Sequence, residues 1–252
     1  MEAGFLPLAH EVFKPLLADP RELQYALRDV VPVGHRNLGE AAIGDYLGIY
    51  RWALPGDAYL QLSIGGGVFG RFDLYGTSNA LQVVDFYGNL PFDLRLQRWS
   101  FRFMPFHTSS HLGDDYIKAT GIVPQKHGWD NLRWLISYDA LSWLRFYGGY
   151  NYVVRTLPGA DRHAAQGGVE MYFPWWGNEH ARFYWANDMQ TWERVHWNPM
   201  FTSQAGVKFV RNSHEHRGIS LFTEYMSGRQ PQGQFYLNRE SRWNFGIKFD
   251  LT

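Results

Sequence analysis

From about Glu22 to the end of this chain, apolar and polar side chains trade places at successive positions through segment after segment. That period of two puts odd residues on one face of a β-strand and even residues on the other. In 242–251, Trp243, Phe245, Ile247, Phe249 and Leu251 share one parity, while Asn244, Lys248 and Asp250 hold the other. Phe201, Ala205, Val207 and Phe209 alternate in the same way with Thr202, Gln204 and Lys208, and Phe183 and Trp185 with Arg182, Tyr184 and Asp188. The pattern predicts strands near 22–32, 42–53, 58–69, 81–88, 93–107, 130–139, 142–154, 165–173, 181–191, 200–210, 217–227 and 242–251, about twelve in all. One strand breaks step: Asp93, Arg95 and Gln97 are polar on one parity and Arg98, Ser100 and Arg102 on the other. A β-bulge near Gln97 is the expected cause.

The connections decide how such strands are arranged. Tight turns are expected at Leu54–Asp57, Gly88–Pro91, Asp139–Ala140, Pro174–His180 and Asn212–His216, and long loops at 108–129, 155–164 and 227–241. Short turns at one end and longer loops at the other are the habit of outer-membrane barrels. Aromatic residues make up 17% of the chain, yet mean hydropathy is −0.36, as when one sheet face meets lipid and the other water. A soluble β-sandwich or lipocalin-like barrel would leave too large an outward apolar surface. No run approaches the ~20 apolar residues of a membrane-spanning helix, so any span is made of strands.

The expected fold is therefore all-β: a single antiparallel transmembrane β-barrel over residues 22–252, with short periplasmic turns and longer extracellular loops. Lumenal Arg102, Arg182, Lys208, Glu170, Glu224 and Asp250 are expected to pair across its interior. Residues 1–21, broken by Pro7 and Pro15, read as a separate N-terminal periplasmic cap. No secretory leader is recognisable, and Met1-Glu-Ala-Gly4 is read as a start that replaces one. The formal net charge of zero gives no basic footprint for nucleic acid, and the absence of cysteine excludes disulfides and thiolate chemistry.

Chemistry concentrates between Trp99 and Tyr116. Trp99, Phe101, Phe103 and Pro105 form the apolar parity of one strand, and the same parity carried forward reaches His107 and Ser109. A histidine two residues from a serine on one strand brings a base and a hydroxyl to the same side. His111, Asp114 and Asp115 follow, groups suited to orient a base or hold a hard cation, for which calcium is the expected metal. A plainer role competes with catalysis: His107, Ser109, Ser110 and His111 hydrogen-bonding a structured outer loop that Gly113 turns and the two aspartates cap. His214-Glu-His216 has the ligand types for zinc but sits in an expected polar turn. Pro174-Trp-Trp-Gly177 reads as an interfacial anchor, and Gly65-Gly-Gly67 as a kink or close strand approach.

The segment FMPFHTSSHLGDDY, with the upstream PLLADPRE and the aromatic strands, resembles a bacterial family of predicted outer-membrane proteins of unassigned function over nearly the full length. Locally, His107-Thr-Ser109 resembles the His-x-Ser element of outer-membrane phospholipase A and of the lipid A 3-O-deacylase. The resemblance implies a lipid acyl-ester hydrolase at the outer leaflet, with Ser109 as nucleophile and His107 as general base. In those enzymes an Asn or Glu on a neighbouring strand orients the histidine, and the phospholipase uses calcium at the oxyanion. Here Asp130 is the expected third member, because it shares parity with Leu132, Trp134, Ile136 and Tyr138; Asp114 and Asp115 compete for the role. The chain departs from the phospholipase in lacking the Ser-Asn-Gly that follows its histidine. The Gly113 N–H or a cation at Asp114 and Asp115 is the expected oxyanion stabiliser. The alternative from another class is a non-enzymatic barrel with a structural, ligand-binding or narrow-pore role.

Overall fold

A computed structural model describes residues 1–34, 36–75, 80–157, 161–178, 180–211 and 217–251. Its strands are β1 (Gly4–Phe5), β2 (Tyr25–Pro32), β3 (Leu38–Leu54), β4 (Ala58–Asp73), β5 (Leu81–Asn89), β6 (Phe92–Leu96), β7 (Trp99–Leu112), β8 (His127–Leu141), β9 (Leu144–Leu157), β10 (His163–Asn178), β11 (Ala181–Trp192), β12 (Met200–Val210), β13 (Gly218–Arg229) and β14 (Arg239–Asp250). A single α-helix among the described residues, α1 (Asp114–Thr120), follows β7. Each strand pairs antiparallel with its neighbours, and β14 pairs with β2, which closes the sheet on itself. β5 and β6 lie end to end between β4 and β7 and act as one stave. The molecule is thus a closed antiparallel barrel of twelve staves with no helix long and apolar enough to cross a membrane among the described residues.

Two turns differ from expectation, and the differences cancel in the count. Gly88–Pro91 is not a turn. Pro91 has no N–H to give the ladder, so pairing lapses there, but the chain carries on: the Leu90 N–H donates to the Pro105 carbonyl at 3.0 Å and the Ser63 N–H to the Pro91 carbonyl at 3.0 Å. The change of parity near Gln97 is not a bulge but the hairpin itself. Leu96 pairs with Trp99 across a two-residue turn in which Gln97 has φ +53°, so Asp93 and Arg95 on one arm and Ser100 and Arg102 on the other all point inward. Pro174–Gly177, expected in a tight turn from Pro174 to His180, lies within β10, which runs on to Asn178. The side chains of Pro174–Gly177 and the whole of His214-Glu-His216 lie outside the described residues.

Burial runs opposite to that of a soluble protein. Asn244, Gln204, Thr202 and Asp93 are buried, while Trp243, Phe245, Phe201 and Trp185 are exposed. The interior is held by charge. Arg102 forks onto Asp93 with bonds of 2.7 and 2.8 Å, Arg145 pairs with Glu170 at 3.0 Å, Lys208 with Asp250 at 2.7 Å, and Arg242 with Glu40 at 2.7 Å. Removing one partner of a buried pair strands the other, at a cost of about 3–5 kcal/mol. Asp93→Ala is accordingly expected to lower the urea midpoint of the refolded barrel far more than Asp93→Asn, which keeps an acceptor for Arg102. Equal midpoints would show that water reaches Arg102.

The N-terminal segment corrects the largest expectation. β1 pairs with β3 at the turn end, and the chain then enters the lumen instead of capping it. Val12, Phe13, Leu16 and Ala18 are buried. Phe13 packs on Leu135 and Tyr147 between the guanidinium groups of Arg102 and Arg145, 4.4 and 5.1 Å from its ring. The two prolines explain why this segment is not a helix, and its free backbone groups find lumenal partners: the Leu17 N–H donates to Glu170 at 2.7 Å, and Arg145 and Arg51 donate to the Lys14 and Leu8 carbonyls.

Candidate functional site

β7 starts at the tight-turn end and runs toward the long loops. Its outward row is Trp99, Phe101, Phe103, Pro105, His107, Ser109 and His111, and Thr108 and Ser110, between them, are buried. At ~3.3 Å per residue and a tilt of about 40°, Ser109 stands roughly 25 Å above Trp99, which is the height of the apolar band of outer-membrane barrels. Trp99 itself sits in an aromatic group with Tyr138 and Phe101, ring centroids 4.4 and 6.4 Å away. The His–Ser pair therefore occupies the outer wall where the greasy row ends.

The antiparallel register of β7 with β8 places His107 directly opposite Asp130. His107 Nδ1 lies 2.6 Å from Asp130 Oδ1, with the two side chains 60% and 43% exposed, so the pair faces outward and not into the lumen. The acid fixes which imidazole nitrogen it uses: Nδ1–H donates to the carboxylate and Nε2 is left with a lone pair on the far edge of the ring. Ser109 lies one step further along the same face. The hydrogen bond of His107 is to Asp130, and among the described residues none joins it to Ser109.

The row's neighbours leave room around it. Gly128 pairs with Ser109, and Gly88 with His107. A Cβ added at Gly88 would meet nothing within 4 Å, and at Gly128 only the Thr108 carbonyl at 3.6 Å and the His107 ring at 3.9 Å. The outer wall therefore has a notch on each side of the His–Ser pair. A register irregularity lies between Asp130 and Asn131 against β9, and it brings exposed Arg155 opposite Asp130. His107, Asp130 and Arg155 thus form one outward row across three strands. Arg155 and the two glycines were missed from sequence, because only strand register reveals them.

Hydrogen bonding also separates the two serines. Ser110 points inward, where its hydroxyl accepts from the Gln234 N–H at 3.0 Å and its carbonyl accepts from the Gln234 side chain at 2.8 Å. It anchors the loop between β13 and β14. The loop-holding role expected of the whole cluster therefore falls to Ser110, and not to His107 or Ser109.

The expected metal set does not assemble. His111 stands on the outward face against Phe86, ring centroids 5.9 Å apart, whereas Asp114 and Asp115 open α1, and Asp115 faces Lys118 at 3.8 Å. Among the described residues no group of three or more His, Asp or Glu side chains could hold a metal ion. Nor does either aspartate compete with Asp130 for His107, whose bond is to Asp130. The Gly113 N–H is also committed, donating to the Gln82 carbonyl at 3.0 Å, so it is not an oxyanion donor.

The barrel is similar to outer membrane phospholipase A from Escherichia coli, with a TM-score of 0.63 at 12% identity, covering 94% of this chain and 100% of that one. The Salmonella typhi outer membrane phospholipase dimer with bound calcium gives 0.62 at 11%, covering 96% and 94%. The KdgM porin in complex with disordered oligogalacturonate gives 0.51 at 8%, covering 91% and 99%. At such identities the likeness shows the fold alone. No curated protein matches the sequence. The family model described as "Protein of unknown function (DUF1207)" matches residues 1–251, and the chain belongs to that family.

Proposed function

We propose that this protein is an outer-membrane acyl-ester hydrolase acting on membrane lipid at the outer leaflet. The observation that carries the proposal is the 2.6 Å contact between His107 Nδ1 and Asp130 on the outward face, with Ser109 on the same row. Asp130 holds the imidazole and stabilises its protonated form; Nε2 takes the Ser109 proton as Oγ attacks the ester carbonyl carbon. The tetrahedral adduct collapses with cleavage of the carbon–alkoxy bond, and the imidazolium returns its proton to the departing alcohol. Water then attacks the acyl-enzyme with the same base, releasing fatty acid and restoring Ser109. The notches at Gly88 and Gly128 give the ester carbonyl access to the wall, and acyl chains lie along the apolar row beneath.

Arg155 is the cation nearest this row by register, and we assign it to the lipid's phosphate. Arg155→Gln is expected to raise KM for phosphatidylglycerol about tenfold with little change in kcat, as when a group contributes uniform binding. A fall in kcat at constant KM would place Arg155 at the oxyanion instead. The direct test is fatty-acid release from phospholipid in mixed micelles, with and without calcium, by the wild type and Ser109→Ala. Ester cleavage that depends on Ser109 is the expected result, and its absence in both conditions overturns the proposal.

A further inference from the structure

Below the N-terminal plug, at the turn end of the barrel, lies a vestibule of about 690 Å³, remote from the outward His–Ser row. That volume falls in the range of small-molecule sites, about 300–1,000 Å³. The plug contributes Lys14, Pro15 and Leu17 to the lining, and the wall contributes an inward row set by strand register. Arg182 of β11 pairs with Lys208 of β12, Lys208 with Ser220 of β13, and Ser220 with Lys248 of β14. Three of these four neighbouring positions are cationic.

The acids on the lining already have cations. Glu11 pairs with Arg51, Asp139 with Lys14 and Arg95, Glu170 with Arg145 at 3.0 Å, and Asp250 with Lys208 at 2.7 Å. Lys208 reaches Asp250 by crossing Gly218, where an added Cβ would meet its Cε at 3.1 Å. Lys248 is left over. It is only 7% exposed, lines the vestibule, and makes no ion pair or hydrogen bond among the described residues. The Tyr172 hydroxyl, from β10, lines the same space and is likewise without a hydrogen-bond partner among the described residues. Glu170 and Asp250 both act electrostatically on Lys248 and on Tyr172, which places the two donors around one part of the vestibule.

A buried ammonium without a counter-charge is costly, and the protein supplies none. An anion in the vestibule would accept from both the ammonium and the phenol, bonds that are strong because charge assists them. We infer that the vestibule is a binding site for a small solute bearing a phosphate or carboxylate group. It is entered from the turn end and closed above by the plug. Lys248 and Tyr172 donate to the acid group, and the rest of the volume houses the body of the solute beside Pro15 and Leu17. Phosphate and carboxylate share this chemistry, and the experiment separates them.

The test is isothermal titration of the full chain in detergent with phenyl phosphate, benzoate and neutral benzyl alcohol. Saturable binding of one or both anions is expected, with benzyl alcohol at least about tenfold weaker; whichever anion binds more tightly identifies the acid group. Lys248→Gln should weaken that anion about tenfold, Lys248→Arg should restore part of the loss, and Tyr172→Phe should weaken it severalfold. Lys126→Gln removes the same charge from the exposed loop end and should bind as the wild type does. Heat-modified mobility on gels reports folding of each variant. The anion should also raise the urea midpoint of the wild type and leave that of Lys248→Gln nearly unmoved, because a ligand stabilises only the state that binds it. No saturable response to either anion, equal responses to anion and neutral alcohol, equal losses in Lys126→Gln and Lys248→Gln, or binding indifferent to Lys248→Gln in a folded barrel overturns the inference.

Discussion

Ser109→Ala is expected to reduce fatty-acid release by about 10,000-fold or more, to the level of micelles without protein. The effect is that large because Ser109 contributes the atom to which the acyl group transfers, and no other described hydroxyl shares its outward row on β7. His107→Ala should fall nearly as far, and the double variant no further, because nucleophile and base act as one unit. Asp130→Ala should cost less, about 100- to 10,000-fold, since it loses the orientation and stabilisation of the imidazolium but keeps base and nucleophile. The ordering is the informative part. A Ser110→Ala control separates chemistry from architecture: it removes the acceptor for the Gln234 N–H and should loosen the β13–β14 loop while leaving hydrolysis nearly intact. If Ser110→Ala were the more damaging change, the outward row would not be the site. All five variants need only a folded barrel, which heat-modified gel mobility verifies.

How much of this was legible beforehand depends on which contacts are local. Strand parity is local, so the faces of β11, β12 and β14, the outward direction of His107 and Ser109, and the inward direction of Lys208 and Asp250 could all be anticipated, although only the structure pairs those two charges. Asp130 was identifiable because parity on β8 placed it outward, although only the register shows it facing His107. The misassigned turns share a cause. A two-residue hairpin at Gln97–Arg98 and a proline-interrupted stave at Leu90–Pro91 both disturb alternation, and one strand alone does not distinguish a reversal from a lapse in pairing. Residues 1–21 were misread because their partners are distant in sequence: Asp19 meets Arg133, Leu17 meets Glu170 and Arg21 meets Asp85. An apolar, proline-broken segment looks the same whether it caps a barrel or fills it. The proposed metal set failed for a related reason: Asp114 and Asp115 open a helix while His111 stays on the outward strand row, and among the described residues the three do not gather into a metal-holding group.

Deleting residues 2–20 is expected to convert a closed barrel into a conducting one. The plug separates two spaces: the cavity on the loop side, touched by Asp19 and Arg21, and a larger vestibule at the turn end, touched by His10, Lys14 and Leu17. Between them Phe13 and Leu16 fill the section beside Leu135 and Tyr147, and the salt bridge of Arg133 with Asp19 at 2.7 Å ties the segment to the wall. A twelve-stave barrel is wide enough that, emptied of this segment, water and ions should pass. Planar bilayers holding the wild type should show little current, whereas the deletion should give discrete steps at least about tenfold larger. The exposed lining would include Arg145, Arg133 and Arg51, whose acceptors Lys14, Asp19 and Leu8 leave with the plug, so the steps should favour anions. Phe13→Ala with Asp19→Ala should give an intermediate, flickering current, because the segment stays tethered through β1 and Arg51 but loses its central anchor. A deletion that folds yet stays silent would mean that the remaining lumenal side chains close the barrel by themselves. Hydrolysis gives the complementary readout. His107 and Asp130 lie on the outer wall and take no bond from the segment, so the open barrel should retain Ser109-dependent cleavage while losing its seal.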